Sequence, residues 1–180
     1  MNGEVIILTG PPGAGKTTVA ELLASGASRP TVHVTTDWFY RSIRTGFVLP
    51  YLPEAQRQNE VVVDAIVASV ATFARGGYDV VVDGIVGPWF LPPFRAAAER
   101  DRLALSYLVL RPDLDTALAR AQQRRGDELK DVEAITGMHI AFADLGELED
   151  HALDNTGHLD AERTVAEVRR VLASGNHRLC

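Results

Sequence analysis

The chain has 180 residues, 46% hydrophobic and 23% charged, and its formal net charge is −6. These values predict one soluble globular domain over residues 1–180 with a single buried core. The acidic charge disfavours nucleic acid as the main partner, because proteins bind a polyanion through clustered cations. A single cysteine, Cys180, excludes an internal disulfide, and the apolar run VIIL near the N-terminus is too short for a signal peptide or a membrane span. We therefore expect a cytoplasmic protein with no membrane partner.

Strands and helices are predicted to alternate along the chain. Short runs rich in β-branched and aliphatic residues predict strands at 4–8, 31–36, 79–84, 103–110 and 151–155. Apolar residues at helical spacing predict helices at 16–25, 37–46, 54–75, 92–101, 113–125, 131–145 and 160–174. This alternation predicts an α/β fold with a five-stranded, mainly parallel sheet and helices on both faces. Ligands of such sheets bind at the carboxyl ends of the strands.

Residues 10–17 read GPPGAGKT and match the phosphate-loop pattern G-x-x-x-x-G-K-[ST] between a predicted strand and a predicted helix. The chain has only two lysines, and one of them, Lys16, occupies the lysine position of the pattern. Backbone N–H groups and the helix N-terminus would surround the phosphates of a nucleoside triphosphate. The alternative is a glycine-rich turn with a chance lysine. The residues predicted to bind nucleotide here are Gly10, Pro11, Pro12, Gly13, Ala14, Gly15, Lys16, Thr17 and Thr18.

Asp83 ends the apolar run of the third predicted strand, in the stretch VVVDG. A carboxylate after such a strand is typical of the second nucleotide-binding motif, where it orients Mg²⁺ beside the hydroxyl of the phosphate loop. Thr17 and Asp83 are therefore predicted to bind Mg²⁺, and a three-layer P-loop NTPase fold is expected. The alternative is an aspartate that only caps the following turn.

Three observations bear on the class of nucleotide-binding protein. A GTPase needs an Asn-Lys-x-Asp stretch to bind guanine, and the chain has none. Large ATPases carry further domains, for which 180 residues leave little room. A small kinase requires in addition a base for the acceptor, a cationic lid and an acceptor pocket.

Asp37 is the candidate base, because it follows the second predicted strand and would face the phosphate loop across the mouth of the site. The alternative is that Asp37 only caps the next helix. The candidate lid covers residues 120–132, where Arg120 and Arg124 lie one helical turn apart and Gly126 offers a hinge. Such arginines could stabilise the charge of the transferring phosphoryl group, although arginines on a helix are commonly a solvated face.

Eight of the twelve aromatic residues fall in two windows that follow predicted strands. The windows contain Trp38, Phe39, Tyr40, Phe47 and Tyr51 after Asp37, and Trp89, Phe90 and Phe94 after Asp83. They predict an apolar, aromatic-lined acceptor site, and the alternative is a small local hydrophobic core. Two arginines on the same helix could bind an anionic group of the acceptor. The predicted substrate-binding residues are Asp37, Phe39, Tyr40, Arg41, Arg44 and Trp89.

Taken together, these motifs resemble small P-loop kinases related to chloramphenicol phosphotransferase, with shikimate, gluconate and nucleotide kinases as wider relatives. The resemblance spans nearly the whole chain and rests on GPPGAGKTT, Asp37, VVVDG, the pattern R-x-x-x-R…GD from Arg120 to Asp127, and DNTG at 154–157. It implies ATP- and Mg²⁺-dependent transfer of the γ-phosphoryl group to a hydroxyl of a small molecule, with Asp37 as base. It also implies that Asn155 and Thr156 contact adenine and that Arg120 touches the nucleotide.

Two departures from that group concern the acceptor. The helix after Asp37 reads WFYRSIRTG, which is bulkier and more basic than expected for chloramphenicol, and the arginine spacing before GD differs by about one residue. A role in antibiotic resistance is therefore one expectation among others. A nucleotide or polynucleotide kinase and an ATP-binding module without transfer activity are the alternatives. The apolar face of the 54–75 helix is compatible with a monomer or a homodimer.

Overall fold

The computed structural model describes residues 1–123, 129–157 and 160–180. Its strands are β1 (Glu4–Thr9), β2 (Thr31–Thr35), β3 (Asp79–Asp83), β4 (Ala104–Leu110) and β5 (Ala152–Leu153). They form one sheet in the order β2-β3-β1-β4-β5, and every neighbouring pair is parallel. This arrangement confirms the predicted five-stranded α/β fold and places the carboxyl ends of all five strands at one edge.

The helices of the described residues flank this sheet. They are α1 (Lys16–Ser25), α2 (Thr36–Arg41), α3 (Gln56–Arg75), α4 (Leu91–Asp101), α5 (Leu114–Gln122), α6 (Val132–Ala141) and α7 (Ala161–Ala173). Short 3₁₀ turns occupy Pro53–Ala55, Pro88–Phe90 and Gly146–His151. In the part of the chain that the structure describes, no helix is both long and apolar enough to span a bilayer.

Strand β1 shows how the sheet buries both of its faces. Val5 and Ile7 pack with α3 and α4, whereas Leu8 packs with α1 and α7 and Ile6 lies against the same cluster. This alternation follows from the two-residue period of a strand, so a strand covered on both faces is apolar throughout. On β3, Val81 lies on the α1 face, and Asp83, two residues later, is directed to that same face.

Helix α2 differs from the prediction for residues 37–46 at both ends. Thr35 occupies the N-cap position, so Asp37 lies inside the first turn and does not cap the helix, and the capping alternative is wrong. The helix ends at Arg41, and Ser42 occupies the C-cap position. The hydroxyl of Ser42 donates a 2.8 Å hydrogen bond to the carbonyl of Trp38. The next apolar residue, Ile43, packs against the core from outside the helix, so the apolar pattern of the sequence continues past the end of α2.

Two further predicted boundaries are also wrong. The helix predicted over 131–145 ends at Ala141, and the Arg111 guanidinium donates to the carbonyls of the next two residues, Phe142 at 3.1 Å and Ala143 at 3.3 Å. Phe142 and Leu145 still pack in the core from outside the helix, so the apolar pattern of the sequence continues past the end of α6. The strand predicted over 151–155 covers only the two residues of β5, Ala152–Leu153. They pair with Val109 and Leu110 at the carboxyl end of β4.

The segment 177–180 lies along β4, a contact that the sequence did not predict. The Tyr107 amide donates to the His177 carbonyl at 2.9 Å, and Nδ1 of His151 donates to the Tyr107 carbonyl at 2.9 Å, since a carbonyl can only accept. The ring centres of His151 and His177 are 5.4 Å apart. Burial, and after it the proximity of His151, lower the pKa of His177.

This lowered pKa of His177 makes the stability of the fold depend on pH. Below about pH 6.5, the ordinary pKa of histidine, the unfolded chain binds more protons at this position than the folded chain. The free energy of unfolding should therefore decline as the pH falls from about 6.5 towards the lowered pKa of His177. Urea unfolding of the wild type and of His177→Gln from about pH 8 to about pH 5 measures this contribution. The difference between the two proteins should be constant above about pH 7 and should shrink in acid; a constant difference would contradict the assignment.

Candidate active site

The phosphate loop connects the end of β1 to the start of α1. Gly10 and Gly13 have φ values of 140° and 84°, and a Cβ at Gly13 would lie 2.0 Å from the carbonyl oxygen of Ala117 on α5. Only glycine fits such a close approach, so the loop is held tightly beside α5. Helix α1 begins at Lys16, directly after the loop, and its N-terminal backbone N–H groups are available to an anion.

Lys16 is buried, with 7% of its surface exposed, and its Nζ donates to the carbonyl of Pro11 at 2.9 Å. The ammonium group is thus held against the phosphate loop rather than extended into solvent. Thr17 and Thr18, the next two residues of α1, are exposed. Ala14 has no exposed surface and packs with the core, and its contact with a nucleotide stays a prediction.

A second loop braces the phosphate loop from the side of β5. The side-chain amide of Asn155 donates to the carbonyl of Ala14 at 2.9 Å, and the guanidinium of Arg120 donates to the carbonyl of Asn155 at 3.0 Å. Asn155 is 2% exposed. The hydroxyl of Thr156 accepts from the amide of Asp113 at 2.8 Å. The structure therefore brings Arg120, Asn155 and Thr156 beside the phosphate loop, and their contact with adenine or phosphate stays a prediction.

Asp83 is buried at the end of β3, with 2% of its surface exposed, and three side chains contact its carboxylate. Its Oδ1 accepts from the hydroxyl of Thr17 at 3.1 Å. Its Oδ2 lies 2.5 Å from Nε2 of His33 and accepts from the hydroxyl of Thr35 at 3.2 Å. The predicted proximity of Asp83 to Thr17 is therefore observed, because β3 and β1 are neighbours.

His33 is a residue of this cluster that the sequence analysis missed. In the pairing of β2 with β3, His33 lies opposite Val81 and Thr35 lies opposite Asp83. Both side chains therefore lie on the same face of the sheet as that of Asp83. A histidine two residues before the end of a strand is a weak signal by itself. It becomes informative only when the neighbouring strand is known.

The residues at this point fit a magnesium ion. Mg²⁺ prefers oxygen ligands, usually one or two from the protein together with water and substrate phosphates. Thr17 offers a hydroxyl and Asp83 a carboxylate, and these oxygen atoms are 3.1 Å apart at the end of the phosphate loop. Within the described residues, no group of three or more His, Cys, Asp or Glu side chains forms a separate metal site.

Asp37 is exposed in the first turn of α2, directly after the end of β2. Among the residues that the structure describes, no hydrogen-bond donor or cation occupies its carboxylate. Burial, together with the negative charge of Asp37, raises the pKa of Tyr40 to about 12. Asp37 is therefore a solvent-accessible carboxylate at the edge of the sheet where the strand ends meet, as a base for a bound acceptor requires.

The two aromatic windows divide between the core and the surface. Phe94 is 3% exposed inside the core, so its predicted place in an acceptor site is wrong. Phe39, Tyr40 and Phe90 are partly buried and pack against the same core. This division follows from helical geometry, since α2 presents one face to α3 and the opposite face to solvent. The remaining four aromatic side chains, each more than 40% exposed, are Trp38, Phe47, Tyr51 and Trp89.

The exposed face of α2 borders an open depression of about 400 Å³. Its lining residues are Trp38, Arg41, Ser42 and Arg44. Within the described part of the chain, neither of the two arginines forms an ion pair. Trp89 does not line this depression and instead packs against Phe142, with ring centres 5.6 Å apart.

The predicted lid lies only partly within the described residues. Arg120 belongs to the last turn of α5, and α6 begins at Val132. Arg124 and the rest of 124–128, including the proposed hinge Gly126, lie outside the described residues. The lid therefore stays a prediction, and Arg120 lies near the phosphate loop through its bond to Asn155.

Comparison with protein families gives one assignment. The model of the AAA_33 family, described as an AAA domain, matches residues 5–143. This range includes the phosphate loop, Asp37, Asp83 and α5. No curated protein matches the sequence at a significant level.

Solved structures similar to the chain are P-loop kinases and related proteins. A sugar kinase from Janibacter sp. HTCC2649 superposes with a TM-score of 0.70 at 13% identity, covering 95% of each chain. The tunicamycin resistance protein of Deinococcus radiodurans gives 0.68 at 15% identity, covering 94% of this chain and 95% of the other. The APS kinase of Mycobacterium tuberculosis in complex with AMPPNP and APS gives 0.67 at 13% identity, covering 96% and 98%. These similarities confirm the predicted fold of the small P-loop kinase superfamily.

The contact of Asn155 with the phosphate loop can be tested by removing it. Asn155→Ala leaves the carbonyl of Ala14 buried without its donor, and we expect a loss of about 1–3 kcal/mol in the free energy of unfolding. Urea unfolding measures this loss. The matched control is Asn176→Ala, since Asn176 is exposed and its side chain makes no hydrogen bond within the described residues. Equal effects of the two substitutions would contradict a bracing role for Asn155.

Proposed function

Because the chain belongs to the AAA_33 family, we propose that it is an ATP- and Mg²⁺-dependent phosphotransferase that moves the γ-phosphoryl group of ATP to a hydroxyl of a small molecule. The nucleotide half of this proposal is carried by the hydrogen bond of 3.1 Å between Thr17 and Asp83. It joins the hydroxyl that follows the phosphate-loop lysine to a buried strand-end carboxylate, as a magnesium-nucleotide site requires. The transfer half is supported by the accessible carboxylate of Asp37.

Each residue of the site has a distinct role in the proposed reaction. The ammonium of Lys16 exchanges the carbonyl of Pro11 for oxygen atoms of the β- and γ-phosphates. Thr17 and Asp83 would hold Mg²⁺, and the ion would supply charge neutralisation for the same phosphates when bound. Arg120 stabilises the negative charge that spreads over the equatorial oxygens during transfer.

Asp37 accepts the proton of the acceptor hydroxyl as the hydroxyl oxygen attacks the γ-phosphorus. A bond forms between that oxygen and phosphorus, and the bond from phosphorus to the bridging oxygen of ADP breaks. The products are ADP and a phosphate monoester of the acceptor. This role suits a carboxylate that no other group of the described structure occupies.

The acceptor is proposed to bind in the depression on α2. An indole ring offers a flat apolar surface, and two guanidinium groups offer donors for an anion. An acceptor with a planar or apolar part and an anionic group would match this lining. A structural neighbour that is a tunicamycin resistance protein supports testing hydroxylated antibiotics among the candidates.

The proposed activity can be tested by ADP release coupled to mass measurement of the acceptor. A panel of hydroxylated compounds, with antibiotics, aromatic metabolites, sugars, shikimate and nucleosides, is supplied with Mg²⁺ and ATP, and each aromatic compound is paired with an analogue that carries a carboxylate or phosphate. At least one compound should raise ADP release and gain one phosphoryl group, with the anionic analogue preferred. Lys16→Ala should abolish the release, because the phosphates lose their cation. ATP binding without any stimulated release would instead favour a binding module.

The role of Asp37 can be tested once an acceptor is known. Asp37→Asn keeps the shape of the side chain but cannot take a proton, so kcat should fall by roughly 10²–10⁴ while the affinity for ATP stays the same. Asp64→Asn is the matched control, because Asp64 is an exposed aspartate on α3. A decrease in kcat below about tenfold would mean that Asp37 is not the base.

A further inference from the structure

The side chain of His33 makes the shortest contact of the buried carboxylate of Asp83. Nε2 of His33 lies 2.5 Å from Oδ2 of Asp83. The hydroxyl of Thr17 lies 3.1 Å from Oδ1, and that of Thr35 lies 3.2 Å from Oδ2. The imidazole is 22% exposed and the carboxylate 2% exposed. A contact of this length on a buried carboxylate is a charge-assisted hydrogen bond, which is among the strongest in proteins.

The donors around Asp83 divide between its two oxygen atoms. Oδ1 faces Thr17 and the phosphate loop, and Oδ2 faces β2, where His33 and Thr35 donate. Because an ionised carboxylate can only accept, Nε2 of His33 must carry its proton. The imidazole therefore fixes the rotation of the carboxylate and keeps Oδ1 directed at the phosphate loop.

We propose that His33 is a positioning residue of the magnesium-nucleotide site, which acts by holding Asp83 in the orientation that binds the ion. This inference rests on the proposed function, since it needs Asp83 to face Mg²⁺. In this role His33 acts through Asp83, which its Nε2 contacts. Groups that orient a metal ligand in this way commonly contribute 10–100-fold to metal affinity or activity.

A purely structural role makes a different prediction from a positioning role. If His33 only satisfied a buried carboxylate, its loss would lower stability and would weaken ATP binding equally with and without the metal. If His33 orients Asp83 for Mg²⁺, its loss changes only that part of ATP affinity that depends on the metal. Measuring ATP affinity with and without the metal therefore distinguishes the two roles, and this experiment needs no acceptor.

Three substitutions at His33 make the experiment specific for the donor at Nε2. His33→Gln places an amide N–H near the position of Nε2, whereas the shorter side chain of His33→Asn reaches only the position of Nδ1. His33→Leu removes the donor altogether. Isothermal titration calorimetry measures the dissociation constant of ATP for each protein with Mg²⁺ and with EDTA, and thermal melting verifies that each variant is folded.

We expect His33→Leu and His33→Asn to weaken ATP binding about 10–100-fold in Mg²⁺ and less than about twofold in EDTA. His33→Gln should remain within about threefold of the wild type in both conditions, because it restores the donor. His33→Gln and His33→Asn retain a polar side chain, so the comparison between them stands even if His33→Leu does not fold.

Three results would overturn the inference. One is an ATP affinity of His33→Asn in Mg²⁺ equal to that of the wild type. Another is a loss of ATP affinity in the variants that is the same in Mg²⁺ and in EDTA. The third is a loss of ATP affinity in His33→Gln as large as that in His33→Asn.

If the wild type itself bound ATP with the same affinity in Mg²⁺ and in EDTA, the proposed magnesium site would fail and the role of His33 with it. If the wild type depends on Mg²⁺ and the variants do not differ from it, only the role of His33 fails.

Discussion

Asp83 is a carboxylate removed from water at the end of β3, and a buried carboxylate is very costly unless donors surround it. The donors come from two other parts of the chain, since Thr17 belongs to α1 and both His33 and Thr35 belong to β2. Satisfying this single group therefore ties the edge strand and the first helix to the third strand. The same bonds leave one carboxylate oxygen facing the phosphate loop, so the requirement of the fold and the requirement of the nucleotide site coincide at one residue.

The phosphate loop is held on its other side by the chain that follows β5. Asn155 donates to the loop at Ala14, and Arg120 is held by the carbonyl of Asn155. The loop thus lies between two sets of hydrogen bonds that originate on opposite sides of the central strand. A site fixed on rigid strands from both sides can present its backbone N–H groups in one arrangement, which is what binding of a polyphosphate needs. The proposed acceptor side is built differently, because α2 is short, packs one face on α3 and leaves its charged and aromatic face to solvent.

Local sequence patterns were sufficient for much of this architecture. The first four strands, the position of the GPPGAGKT loop between β1 and α1, and the strand-end position of Asp83 depend on neighbouring residues, and these predictions are confirmed. The ends of α2 and α6 were missed because Ile43, Phe142 and Leu145 pack against the core from outside these helices and extend the apolar pattern past their ends. The aromatic windows were only half informative. Spacing along the chain does not tell which side chains of α2 and α4 face the core, and Phe94 faces it.

The sequence by itself determined the α/β P-loop fold and predicted the residues that would hold a nucleotide, because glycine positions, apolar periodicity and a strand-end acid are local properties. Only the tertiary structure decided which polar groups meet. His33 and Asp83 are 50 positions apart, and Asn155 and Ala14 are 141 positions apart. Their contacts depend on the order and register of the strands, and a shift of one residue would turn the side chain of His33 to the opposite face of the sheet. Strand order and register are set by packing of the whole sheet, and no short stretch of sequence encodes them.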